Sequence, residues 1–291
     1  MSIRNNEARL GTSHKNSDPA PPIENEKVES EQEVSQPPLS FSTPTEFVDL
    51  PSKGLYYPQG HILHGESSVE IRYMTARDED ILTSKSLLKK GIAIDRFLQN
   101  IIVNKGINVD DLLVGDKNAL VVAARITGYG ANYETKVMCP SCGEHAVNSF
   151  DLETCSKKES VVPDGVDKTQ NGTFVAITPK TGHQVELRLL TGIDEKRLAK
   201  IVASKKKRNL PESVLTDQLR LAIASVNGSS EMNLINLFVA SLTAFEARAL
   251  RDIYAQLAPN IEMKQDFVCH SCGFEQEMEV PFTSDFFWPK R

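Results

Sequence analysis

Two short stretches, CPSCGEH at Cys139 to His145 and CHSCGFE at Cys269 to Glu275, carry four of the chain's five cysteines. In each, two residues separate the thiols, so both sulfurs can reach one ion from a single tight turn. A glycine, Gly143 or Gly273, follows the second Cys and relieves the backbone there. One such pair fills half of a tetrahedral Zn2+ shell, and the second pair supplies the other half. The expectation is that Cys139, Cys142, Cys269 and Cys272 hold one Zn2+ per chain, although Cys139 and Cys269 stand 130 residues apart (139 to 269). Four thiolates close the shell and leave no position for water, so the expected ion is structural and not catalytic. The rival chemistry, a redox dithiol, needs a strand before its CxxC and a helix after it. Here the sequels EHAVNSFDL and FEQEMEVPF are strand-like. His145 and His270 are weaker candidate ligands, His270 sitting inside its turn where it would point outward. Cys155 has no partner at metal spacing.

The elements that must position these thiols occur twice. VEIRYMTARDEDILTS from Val69 and VELRLLTGIDEKRLAK from Val185 share seven identities in sixteen positions. In both, an alternating run ends at a Thr (Thr75, Thr191) three residues before an Asp (Asp78, Asp194). That spacing suits a helix start, with a hydroxyl capping free N–H groups and a carboxylate in the positive first turn. The offset that relates the cysteines also aligns Leu112 with Leu242, Asp116 with Glu246, and Leu120 with Leu250. The pattern predicts an α+β fold built from an internally duplicated unit of strand, helices, CxxC and closing strand. The two copies would span 44–160 and 161–291 and close on one shared four-cysteine, zinc-ribbon-like site. In the first copy, Ile94, Phe97, Leu98, Ile101 and Ile102 form a helical apolar stripe. DKNALVVAARITG then predicts a helix with Asp116 as N-cap and Gly128 as its stop. In the second copy, TDQLRLAIASV and TAFEARALRDIYAQL are the expected helices, with Thr243 and Glu246 as a capping box. TFVAITPKTGHQVELRL predicts a hairpin turning at Pro179 to His183.

Residues 1–43 differ from all that follows: five prolines and seven acidic residues accompany one aromatic, Phe41. Such a segment buries too little apolar surface to offset its ordering entropy, and it is expected to be a disordered arm. No stretch approaches 18 consecutive apolar residues and the first residues lack an apolar leader, so neither a membrane span nor secretion is expected. In a reducing cytoplasm paired cysteines more often hold metal than form disulfides. The net charge of −6 argues against a broad nucleic-acid surface. KKKR at Lys205 to Arg208 is the one basic run and suits a solvated helix C-terminus. Glu144, Glu275, Glu277 and Glu279 flank the knuckles and would repel phosphate. A zinc-ribbon module of transcription or nucleic-acid processing is therefore the alternative and not the leading reading. Asp78, Glu79 and Asp80 are explained by the helix dipole, and GDKNA at Gly115 and GVDKT at Gly165 as turns. No catalytic set and no small-molecule substrate site can be assembled. TSDFFWPKR at the end, with Phe286, Phe287 and Trp288, could dock on a partner or pack on the chain's own zinc lobe.

LPSKGLYYPQG, VEIRYMTARDEDILTS, DLLVGDKNALVVAARITGYG and CPSCG resemble the baseplate hub proteins of T-even-type contractile-tailed bacteriophages. The likeness covers roughly Phe47 to Leu152, and the second half keeps CHSCG and the strand–helix order. It implies a non-enzymatic hub subunit or hub assembly factor whose partners are other phage baseplate hub or tail proteins. Its place would be the cytoplasm of the infected bacterial host during assembly, or the tail baseplate of the virion. The N-terminal arm departs from the family pattern.

Overall fold

Short alternating runs become strands and the longer apolar stripes become helices. The computed structural model describes residues 42–281 together with Phe286 and Phe287. Of the expected arm only residues 42 and 43 fall within that range, and Trp288 lies outside it. The described residues form one compact unit. It opens with β1 (Thr45–Asp49) paired antiparallel to β2 (Ser68–Arg72). Helices α1 (Ala76–Thr83), α2 (Lys85–Lys90), α3 (Ala93–Ile101) and α4 (Val114–Tyr129) follow. A hairpin of β3 (Asn132–Met138) and β4 (His145–Asp151) carries the first CxxC at its tip. After β5 (Ser156–Lys158), strands β6 (Asp167–Lys168), β7 (Phe174–Ile177) and β8 (Gln184–Leu187) begin a four-stranded sheet. Next come α5 (Gly192–Lys207), α6 (Val214–Ala222) and β9 (Ile223–Val226), which completes the sheet order β6-β7-β8-β9. Finally α7 (Met232–Ser241) and α8 (Ala244–Leu257) lead through β10 (Asn260–Glu262) to the hairpin of β11 (Lys264–Val268) and β12 (Glu275–Glu279), which carries the second CxxC.

Both expected helix starts are capping boxes: Thr75 with Asp78 on α1, and Thr191 with Asp194 on α5. Each Asp is also gripped by an arginine at the end of the preceding strand, Arg72 as the last residue of β2 and Arg188 as the first after β8. Arg72 donates to Asp78 at 2.7 and 2.9 Å, and Arg188 donates to Asp194 at 2.7 and 2.8 Å. The acidic trio is thus more than a complement to the helix dipole, since Asp78 is fully buried and ion-paired. The α3 stripe holds for Phe97, Leu98, Ile101 and Ile102, all buried, whereas Ile94 is 39% exposed. The predicted hairpin is present, with Ile177 opposite Gln184.

Four expectations shift. Leu113, not Asp116, is the N-cap of α4, and the helix runs past Gly128 to end at Gly130. Asp116 sits one turn in because tertiary partners take its carboxylate: the Ser52 N–H and hydroxyl donate to it at 2.9 and 2.6 Å, and the Tyr57 hydroxyl at 2.7 Å. GDKNA is therefore the first turn of a helix and not a loop. TDQLRLAIASV divides, its IASV leaving the helix as β9 beside β8. Of KKKR, Lys205 is not merely solvated: it bonds Ser213 and, at 2.5 Å, Asp217, tying α5 to α6.

Segments early and late in the chain interlock. β5 pairs antiparallel with β10. The Val114 N–H bonds the Leu190 carbonyl, and the Gly192 N–H bonds the Leu112 carbonyl, at 3.0 and 2.9 Å. Gly115 lies against the Pro259 carbonyl so closely that a Cβ there would stand 1.9 Å from the oxygen. Lys117 on α4 pairs with Asp95 on α3 and Glu195 on α5, and Lys196 pairs with Asp95 and Asp110. The chain's end closes the core. Phe286 packs edge-on to Tyr133 of β3 at 5.1 Å, and Phe287 edge-on to Phe97 at 5.4 Å. Both phenylalanines are buried, so these two terminal aromatics pack on the protein itself.

Candidate metal centre

Each CxxC occupies the tip of a two-stranded hairpin, and the two tips have the same backbone plan. The Cys139 N–H bonds the Glu144 carbonyl and the Gly143 N–H bonds the Cys139 carbonyl, at 2.8 and 2.9 Å. Cys269, Phe274 and Gly273 repeat both bonds at 2.8 Å. Gly143 and Gly273 take φ of 74° and 71°, the left-handed region that a side chain makes costly. That is the physical reason for a glycine after each second Cys, as the spacing predicted. The hairpins are held side by side at their bases by Gln265, whose amide accepts from the Asp151 N–H at 3.0 Å and donates to its carbonyl at 2.6 Å.

The fold brings all four thiols to one point. The sulfurs of Cys139, Cys142, Cys269 and Cys272 lie within 4.8 Å of one another. Sγ of Cys139 is 3.8 Å from that of Cys272, and Sγ of Cys142 is 3.8 Å from that of Cys269. A tetrahedral shell with Zn–S near 2.3 Å sets its sulfurs about 3.8 Å apart. A disulfide would need about 2.05 Å. Cys139 and Cys269, first in each pair, are buried, while Cys142 and Cys272 are exposed. The donor set, its number and its spacing fit one thiophilic ion.

The electrostatics favour the same conclusion. Backbone N–H groups of Cys272 and Ser271 point at Cys269 and hold its thiol down to about 6. At Cys142 the Glu144 N–H pulls downward too, but the neighbouring thiols, with Cys272 foremost, push it up to about 12. Two negative sulfurs about 4 Å apart repel by roughly 4 kcal/mol at a protein-surface dielectric. Four can ionise together only around a cation.

His145 and His270 are not part of the sulfur cluster, and Cys155 stands apart from it as well, receiving a hydrogen bond from Gln265 at 3.9 Å. Burial pushes the Cys155 thiol up, away from ready ionisation. Asp116 and Tyr57 form a buried polar knot that the local sequence did not signal. The Tyr57 hydroxyl accepts from the Leu113 N–H at 3.1 Å while donating to Asp116. The nearest hint was the alignment of Asp116 with Glu246, which turns out to play a matching part. Glu246 accepts the Thr181 N–H and hydroxyl at 2.9 and 2.7 Å, as Asp116 accepts those of Ser52.

A mixed α+β unit with four sulfurs gathered from two hairpins defines a protein with a candidate cysteine-only metal centre. The chain belongs to the T4 bacteriophage base plate protein family, whose family model matches residues 45–288. No curated protein and no solved structure matches it. No described helix is long and apolar enough to cross a membrane.

Proposed function

We propose that this base plate family member is a non-enzymatic subunit or assembly factor of the baseplate hub, held in shape by one structural Zn2+. Cys139, Cys142, Cys269 and Cys272 are its ligands, and other hub or tail proteins are its partners. It acts in the infected bacterial host during assembly or stays in the tail baseplate. The observation that carries the reading is the meeting of four sulfurs from hairpins 130 residues apart (139 to 269) in a chain matched by the family over residues 45–288. A closed thiolate shell holds shape and offers no position to a substrate.

The reading includes an internal duplication, with copies over 44–160 and 161–291 behind an arm of residues 1–43. Two pairs of matching contacts support it. Arg72–Asp78–Thr75 corresponds to Arg188–Asp194–Thr191. Asp116 holding Ser52 corresponds to Glu246 holding Thr181. In the second pair, a carboxylate in the first turn of the last helix before each knuckle grips the connection between the two paired strands that precede the capping-box helix, β1–β2 in one copy and β7–β8 in the other.

Native mass spectrometry of the freshly purified, reduced chain should find one zinc, lost in Cys139→Ser and in Cys272→Ser but kept in Cys155→Ser. Two zincs, or none, would reject the shared site. Affinity capture from infected cells should recover other baseplate components; recovery of polymerase or nucleic acid would reverse the functional reading.

A further inference from the structure

Helix α7 is unusual for a surface element. Only Ile235, Phe238 and Val239 are buried, while Met232 and Leu237 are 61% and 69% exposed. From Met232 to Phe245 the sequence has no charged residue, in a chain that is 25% charged. Beside this helix runs a groove of about 420 Å³ bounded by α5, α6, β9 and α7, and the largely exposed Met232 lines it. Its floor is apolar, with Ile201, Leu221 and Ile235, and its wall is made by Arg188, Arg197 and Arg220.

The cations at that wall outnumber their partners. Asp194 serves both Arg188 and Arg197, and Asp217 serves both Lys205 and Arg220. Four positive groups thus share two carboxylates. Among the described residues Arg197 is bound only by Asp194, through one nitrogen at 3.3 Å, and its side chain is 56% exposed, which leaves its fork open to a second carboxylate. An uncharged apolar helix next to surplus guanidinium is the complement of an amphipathic segment with an apolar stripe bordered by Asp or Glu.

We infer that the groove between α5 and α7 is the docking site for an acidic amphipathic segment of a different protein. The inference rests on the reading of the chain as an assembly subunit. The chain's own residues 1–43 are acidic, but the apolar residues of their acidic stretch, Ile23, Val28 and Val34, stand five and six apart and make no helical stripe; charge decides against the remaining occupants. A second copy meeting this face two-fold would set the cationic wall against itself. Nucleic acid would meet an apolar, uncharged helix where phosphates require cations.

The test uses the full chain in infected cells, with a photo-crosslinking phenylalanine analogue at Leu237 and, separately, at Val147 on the outer face of β4. Leu237 should crosslink to a segment of another protein that mass spectrometry shows to be rich in Asp or Glu and apolar residues. Arg197→Glu should cut that yield about tenfold, and Arg197→Lys should largely restore it, with the thermal midpoint unchanged in both. A crosslink to a second copy, to the chain's own residues 1–43 or to nucleic acid overturns the inference, as does a partner segment without acidic residues, or insensitivity to Arg197→Glu. If Leu237 yields nothing while Val147 captures a baseplate protein, the docking site is wrong and the assembly role stands. If neither position captures any protein, both fall.

Discussion

Asp78 is a carboxylate fully out of water, and its state decides how the first helix attaches to the strand before it. Burial alone would raise its pKa, but hydrogen bonds from Arg72, Thr75 and Asn100 outweigh that and hold the carboxyl down to about 2. The folded value lies below the ordinary 3.8, so this stabilisation is complete above that value and is lost as pH falls from there toward 2. Asp194 shifts in the same direction, where burial is again outweighed by Arg188 and Thr191. Acid titration of the unfolding free energy should therefore steepen below pH 4, and Asp78→Asn should flatten that limb. An unchanged slope would mean that the pair carries none of the acid sensitivity. Removing the cation is harsher than removing the charge from both partners, because it strands a buried carboxylate. Arg72→Leu is expected to cost roughly 3–5 kcal/mol in urea unfolding. Arg188→Leu should cost less, since Arg197 still pairs with Asp194 at 3.3 Å.

At the scale of elements, the contact between α4 and β10 is a place where backbone meets backbone. A methyl added at Gly115 would meet the Pro259 carbonyl at 1.9 Å, and neither chain segment can yield by a side-chain rotation. At Gly128, on the same helix, the added methyl would meet the terminal carbon of Met74 at 2.0 Å, which can swing away. Gly115→Ala should therefore destabilise by at least the roughly 1–3 kcal/mol typical of overpacking, and Gly128→Ala by clearly less. Equal losses in denaturant unfolding would show that α4 is not pressed onto β10 as described. The same helix marks where the sequence became illegible. Its existence and apolar content follow from periodicity, and the Thr–Asp spacing at α1 and α5 sufficed to locate two starts, because capping is local. Asp116 has the right type and region for an N-cap, yet Ser52 and Tyr57 claim it from more than fifty residues away, and no local signal encodes that. Ile223–Val226 is a short apolar run that helix and strand suit equally, so only its pairing with β8 decided its state. The cysteine cluster was legible for the opposite reason: ligand chemistry restricts both residue type and spacing. What could not be read was that Gln265 holds the hairpins together at their bases, while packing of the terminal phenylalanines on the hairpin lobe was legible only as one of two alternatives.

For the whole molecule, the question is how far the sulfur centre's influence extends. Helices α1 to α4 have their own buried contacts around Phe97, Leu98 and Leu120, so the fold is not a zinc finger that exists only with its ion. The hairpins are different. β3–β4 and β11–β12 are separate two-stranded sheets, and a lone hairpin is marginal in water. They are joined at the tips by the sulfurs and at the base by Gln265. The Tyr133 hydroxyl also reaches from β3 to the Pro281 carbonyl at 3.0 Å, just after β12. Phe286 rests on Tyr133, and its carbonyl accepts from the buried Arg125 at 2.6 Å. Opening the tips therefore loosens the seat of the chain's end. Stripping metal with a strong chelator, or replacing Cys269 by Ser, should lower the thermal midpoint by roughly 10 °C, the shift expected for a loss of a few kcal/mol in a domain of this size. Hydrogen exchange should then rise together in β3, β4, β11, β12 and the Phe286–Phe287 pair, while the amides of α3 and α4 keep their protection. Phe286→Ala gives the reciprocal experiment. It should cost roughly 3–5 kcal/mol as a large core deletion and accelerate exchange in β3 while zinc stays bound, because the thiols do not depend on the phenylalanine. If chelation instead unfolds α3 and α4 with the hairpins, the centre is a nucleus of the whole fold. If exchange rises in only one hairpin, the two knuckles do not share an ion.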